Sequence, residues 1–134
     1  MPYWNSNALS TPGQANHLNQ SAAFDGIGHY AGKTVAMPGS ASGDFGTPHF
    51  EFHRTLEVFW DQFRENGPRH GKKPSVAEYN EAMRKALKDA GFSRTQVDIL
   101  NREALNELTG AGYELTDLVD KIPSPVYQSF RDLF

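Results

Sequence analysis

Beyond Thr47 the apolar residues fall into three runs at helical spacing, each bounded by its own start and stop signals. Phe52, Leu56, Phe59, Trp60 and Phe63 recur every three or four residues, which predicts an amphipathic helix over residues 48–65. Proline suits its first turn, where a missing amide hydrogen costs nothing, and Asn66-Gly67-Pro68 stops it. After the loop 69–74, Ser75 and Glu78 form a capping-box pattern that opens a second helix with Val76, Tyr79, Met83 and Leu87 on one stripe and Gly91 as its stop. Ser93 and Gln96 repeat the pattern for a third, carrying Val97, Leu100, Leu105 and Leu108 before Gly110, and a short helical turn is expected over 115–119. The front half is rich in Gly, Ser, Asn and Pro. It predicts only two short strands, at 14–18 and 33–37. A two-stranded hairpin is not stable alone in water, so it is expected to pack on the first helix.

The 134 residues are the size of one domain, divided into an irregular front (1–66) and a helical extension (67–134). The fold class is α+β, mostly helical. No apolar run approaches the ~18 to 20 residues a membrane span requires. The opening Met1-Pro2-Tyr3-Trp4-Asn5-Ser6 has neither a basic region nor an apolar core, so a signal peptide is not expected. Cysteine is absent, which excludes disulfides, thiolate metal sites and thiol nucleophiles together. The net charge of −3 argues against a broad basic surface, yet it is unevenly spread. Residues 1–66 hold Lys33, Arg54 and Arg64 against six carboxylates, whereas 67–134 hold ten charges of each sign.

Chemistry concentrates in the five histidines, at 17, 29, 49, 53 and 70. His49 and His53 stand four apart on the first helix, a spacing that lets two imidazoles share one ion. Without thiolates the donors favour zinc or another divalent ion. The plainer alternative is a pair of imidazoles on a half-buried helix end. Their place beside the stripe of Phe52, Leu56, Phe59 and Phe63 puts them at the edge of the buried face, where they would line a groove. His17 lies with the first predicted strand, and packing that strand on the helix would bring all three imidazoles together. His29 and Asp44 are loop residues of ambiguous role. Trp60 and Phe63, at helical spacing, read as core rather than as base-stacking surface.

The order Asn16-His17, hairpin, then Gly46-Thr47-Pro48-His49-Phe50-Glu51-Phe52-His53 resembles the ββα-metal finger of HNH and endonuclease VII superfamily nucleases. More narrowly, Ala15-Asn16-His17-Leu18-Asn19-Gln20-Ser21-Ala22-Ala23-Phe24, with His53-Arg54-Thr55-Leu56-Glu57 and Phe59-Trp60-Asp61-Gln62-Phe63, resembles nuclease toxin domains at the carboxyl end of Rhs-type bacterial polymorphic toxins. The likeness extends more loosely through Glu78-Tyr79-Asn80 and Ala86-Leu87 to Ile122-Pro123. It implies that His17 is the general base and that His49 and His53 are metal ligands, with Asn16 as a further ligand. Many members of the family it resembles carry histidine where this chain has Asn16, so the position either uses an amide oxygen, which suits magnesium better than zinc, or is an inactivating replacement.

The resemblance further implies phosphodiester hydrolysis, of DNA in the first instance, with Zn2+ or Mg2+ as cofactor. It implies delivery as part of a larger secreted effector, action in the target-cell cytoplasm, and a cognate immunity protein as partner. Arg54, Arg69, Lys72 and Lys73 are the candidate phosphate contacts, His70 lying among the loop cations. The competing reading is a noncatalytic helical protein-interaction module with structural histidines, which the negative net charge favours.

Overall fold

The computed structural model describes residues 14–26, 34–37 and 48–124, with side-chain detail outside the two strands and positions 21 and 49. Strands β1 (Gln14–His17) and β2 (Thr34–Met37) pair antiparallel, Gln14 opposite Met37 and His17 opposite Thr34. Helices α1 (Pro48–Asp61), α2 (Val76–Asp89) and α3 (Arg94–Gly110) follow, and α2 packs against both of the others. The described part is thus mostly helical. His29, Asp44, the Gly39–Gly43 stretch and the tail from residue 125 lie outside the described residues.

The two capping boxes form as the sequence predicts. Ser75 Oγ accepts from the Glu78 amide while Glu78 Oε1 accepts from the Ser75 amide, and Ser93 and Gln96 do the same for α3. At the other end of α2, Gly91 takes φ +97°, a region where a Cβ is strained. This turns the chain so that the Phe92 and Gly91 amides reach the Leu87 and Lys88 carbonyls. α3 closes with the same bond pattern two residues later than expected: Gly110 is still helical, Gly112 takes the positive φ, and the Tyr113 and Gly112 amides bond the Leu108 and Thr109 carbonyls.

Three expectations need correction. The first strand stops at His17, because Leu18 turns inward and is 1% exposed in the core. α1 ends at Asp61, four residues before position 65. From Gln62 the amides bond carbonyls three residues back, and the chain folds onto the helix end, where the Arg69 amide donates to the Gln62 carbonyl at 2.7 Å. A Cβ on Gly67 would lie 2.2 Å from the Asp61 carbonyl oxygen, so only glycine permits this reversal. Finally, residues 115–119 form a turn and a lone bridge between Leu118 and Ser75, not a helix. Their carbonyls serve the unpaired amides at the start of α2: Val76 N–H donates to Asp117 O at 2.7 Å and Ala77 N–H to Leu115 O at 3.0 Å.

One core joins these elements. Phe52, Leu56 and Trp60 of α1, with Phe63 just past its end, meet Val76, Tyr79, Met83, Ala86 and Leu87 of α2, and Val97, Leu100, Ala104 and Leu108 of α3 complete it. Leu18, Ala23 and Phe24, from the segment after β1, and Val119 are buried in the same cluster. Phe24 meets the rings of Tyr79 and Tyr113 edge-on, at 4.9 and 5.2 Å. Among the described residues no helix is long and apolar enough to cross a membrane.

Candidate functional site

β1 is held to the helices through the residues that follow it. Asn19, 1% exposed, donates from Nδ2 to the Ala104 carbonyl at 2.7 Å and to Glu107 Oε1 at 2.9 Å, and accepts from the Tyr79 hydroxyl at 3.2 Å. The Gln20 amide donates to Tyr79 Oη, and Gln20 Oε1 accepts from Trp60 Nε1 at 2.6 Å. Asn19, Gln20, Tyr79 and Trp60 thus satisfy one another across elements, so the exit of the strand is pinned to α1, α2 and α3 at once. Burial pushes the Tyr79 phenol well above its ordinary value, keeping it a neutral donor. Asn19 and Gln20 are part of the segment that carries the nuclease resemblance, and their role in the fold is anchorage two and three residues past His17.

Positions 49 and 53 both fall on α1, one turn apart. The His53 ring is half-buried and stands edge-on to Phe52 at 5.5 Å. The side chains of Asn16, His17 and His49 lie outside the described residues, as does their convergence on a shared ion. Among the described residues no three His, Asp or Glu side chains cluster to hold a metal.

A groove does run along α1, but His53 is not among its lining residues. Its volume is about 770 Å³, between α1 and α2, with Val58 and Phe59 on one wall and Ala82 on the other. Periodicity explains the separation. Thr55, Val58 and Gln62 follow one edge of the buried stripe, whereas His53 shares the other edge with Glu57, one turn on.

Two of the expected phosphate contacts, Arg54 and Arg69, line that groove and are engaged by its own carboxylates. Arg54 approaches Glu51 at 3.5 Å. Arg69 grips Glu78 with two bonds, 2.9 and 3.3 Å, and its guanidinium lies 4.5 Å from the centre of the Phe63 ring. That bond holds the Glu78 carboxyl below its usual range. Asp89 is also lowered: burial opposes this, but hydrogen bonds from Lys85 and Thr55 outweigh it. The groove is therefore largely self-neutralised.

The other two, Lys72 and Lys73, line a second concavity with His70, against Ile122–Ser124. Lys73 Nζ donates to the Asp120 carbonyl at 2.7 Å, a neutral acceptor that leaves its charge in place, and Lys72 is exposed. The four cations thus divide between two surfaces.

Sequence spacing gave no hint of a further arrangement beside α1. Arg64, 8% exposed, meets Glu57, 3% exposed, through two bonds of 3.2 and 3.1 Å. It also donates to Asp61 at 2.9 Å and twice to the Pro123 carbonyl, at 3.0 and 2.8 Å. Two charges seven residues apart carry no local sign of pairing, because it is the turn after Asp61 that brings Arg64 back over the helix. Comparison with known proteins adds no neighbour: no family model, curated protein or solved structure matches the chain.

Proposed function

We propose that the chain is a metal-dependent endonuclease toxin domain of the ββα-metal type, hydrolysing phosphodiester bonds with DNA as substrate. One observation carries the reading: an antiparallel pair β1–β2 precedes α1, with position 17 at the end of β1 and positions 49 and 53 one turn apart at the start of α1. This is the element order on which the resemblance rests. The buried anchorage of Asn19 and Gln20 supports it further, since a base on a strand end needs a fixed backbone.

In this reading His49, His53 and Asn16 hold a divalent ion, Zn2+ or Mg2+, through nitrogen and oxygen donors. When bound, the ion supplies positive charge against the phosphoryl oxygens. A half-buried imidazole at position 53 fits that donor set, because it is shielded from bulk water but not sealed from a ligand. His17 accepts the proton of the attacking water, which requires it to be neutral, so cleavage falls as pH drops through the histidine range. Lys72 and Lys73 supply positive charge for the substrate backbone, Arg54 and Arg69 doing so only on release of their carboxylate partners. The domain arrives as part of a larger secreted effector, acts in the target-cell cytoplasm, and is held inactive in its producer by a cognate immunity protein.

The test is plasmid nicking by the purified chain with added Mg2+ or Zn2+ and with chelator. Divalent-dependent nicking that His17→Ala abolishes is expected; full cleavage by that variant removes His17 from the mechanism. Asn16→His raises the rate by orders of magnitude if Asn16 is an inactivating replacement, and an unchanged rate refutes that idea. A second reading, a noncatalytic interaction module, draws on the self-neutralised α1–α2 groove with Val58 52% exposed on its wall. Absence of nicking under every metal condition, in both wild type and Asn16→His, selects it.

A further inference from the structure

The net charge of −3 hides a segregation that the fold makes spatial. Arg84, Lys85 and Lys88 lie on the second half of α2, and Arg94 and Arg102 on α3, across the turn at Gly91. Arg94, Asp98 and Arg102 follow one another at four-residue intervals and so share one face of α3, over a rise of about 12 Å. Arg84 reaches across from α2 to Asp98 at 2.7 Å. The Asp98 carboxyl is held below its usual range first by that bond and then by the fields of Arg84, Arg94 and Arg102. One carboxylate therefore sits among three guanidiniums.

Neutralisation distinguishes this face from the α1–α2 groove. In the groove Arg54, Arg69 and Lys85 face four carboxylates, and each is paired with one of them. Here Asp89 is taken by Lys85 and Thr55, and Asp98 by Arg84. Lys88, Arg94 and Arg102 are exposed and form no ion pair among the described residues, with Glu81 the one remaining carboxylate of the adjoining cleft. These exposed cations feel Asp98 and Asp89 only through space, with no ion pair of their own, and they stand in a row along two packed helices.

We propose that this α2–α3 face, with Lys88, Arg94 and Arg102 as its unpaired cations and Arg84 beside them, contacts the phosphate backbone of duplex DNA. A row about 12 Å long spans roughly three phosphate intervals of one strand, at ~3.4 Å of helix axis each, and cations on two helices reach both sides of it. The choice of DNA over another polyanion rests on the nuclease reading. The face itself contains none of the residues given a catalytic or metal role there, so the two claims can fail separately.

The experiment measures binding of the full chain to a short fluorescent duplex over a series of salt concentrations, with magnesium present and in the His17→Ala background to prevent cleavage. Each lost phosphate contact lowers the log–log salt slope by about 0.9, so Arg94→Gln/Arg102→Gln lowers it by about 2 and weakens binding, while Asp98→Asn tightens it. An unchanged slope in the double variant overturns the proposal, as does failure of the His17→Ala chain to bind the duplex at low salt. Nicking by the wild-type chain together with an unchanged slope leaves the nuclease reading standing and removes this face from it. Slope loss without nicking does the reverse.

Discussion

Arg64→Met tests whether the clasp between α1 and the segment at Pro123 is as costly to break as its burial implies. The variant keeps an aliphatic chain in the site and removes every donor, leaving the Glu57 carboxylate 3% exposed without its cation. Breaking a buried ion pair from one side costs about 3–5 kcal/mol, since the surviving charge must stay desolvated and alone. Asp61, with 30% of its side chain exposed, adds little because water replaces the lost bond. Against a typical total of about 5–15 kcal/mol, the loss lowers the melting temperature by roughly 10 °C or more. Glu57→Met/Arg64→Met removes both charges, so the desolvation penalty goes with them. What remains is the unserved Pro123 carbonyl, for about 1–2 kcal/mol. Urea unfolding of the wild type and both variants, followed by tryptophan fluorescence and by circular dichroism, gives the three stabilities. A single-variant loss below about 1 kcal/mol, or a double variant as unstable as the single, refutes the reasoning.

Tyr79→Phe removes the hydroxyl shared by Asn19 and the Gln20 amide, and at neutral pH costs about 1–3 kcal/mol in the same unfolding assay. Its folded-state phenol is raised by burial, so the stability it contributes is complete below about pH 10, the unfolded value, and is lost as pH rises further. The phenylalanine variant should show a shallower alkaline decline, and an identical one would count against this origin. Asp120 titrates the opposite way: the Tyr113 hydroxyl, the largest cause, holds its carboxyl below the usual range, giving stability present above about pH 4 and lost as pH falls. Tyr113→Phe should flatten the acid limb of the stability profile, which an acid titration by circular dichroism checks. Ser75→Ala and Ser93→Ala each remove one side of a capping box and should cost about 1 kcal/mol, read as a shift in urea midpoint. Gly67→Ala should cost more than either, because the backbone must move away from the Asp61 carbonyl.

The helices and their caps were legible one turn at a time. Ser75, Glu78, Ser93, Gln96 and Gly91 act on backbone groups within a few residues of themselves, so their pattern carries its meaning wherever the segment sits. The apolar stripe of α1 likewise named Phe52, Leu56, Trp60 and Phe63 as core before any partner was known. The two strands were visible as short extended segments, although Leu18 belongs to the core rather than to β1. Long-range pairings left no such trace. Residues 115–119 have a plausible helical pattern, yet their carbonyls are recruited by α2, a demand that exists only once the two segments meet. The Arg64 clasp, the Asn19 anchor, the self-neutralised groove that takes Arg54 and Arg69, and the cation row around Asp98 all join residues from separate elements. Periodicity reports which face of a helix avoids water, because that is a property of the helix alone. Which charge meets which is decided by the packing of α1, α2 and α3, and no single segment contains it.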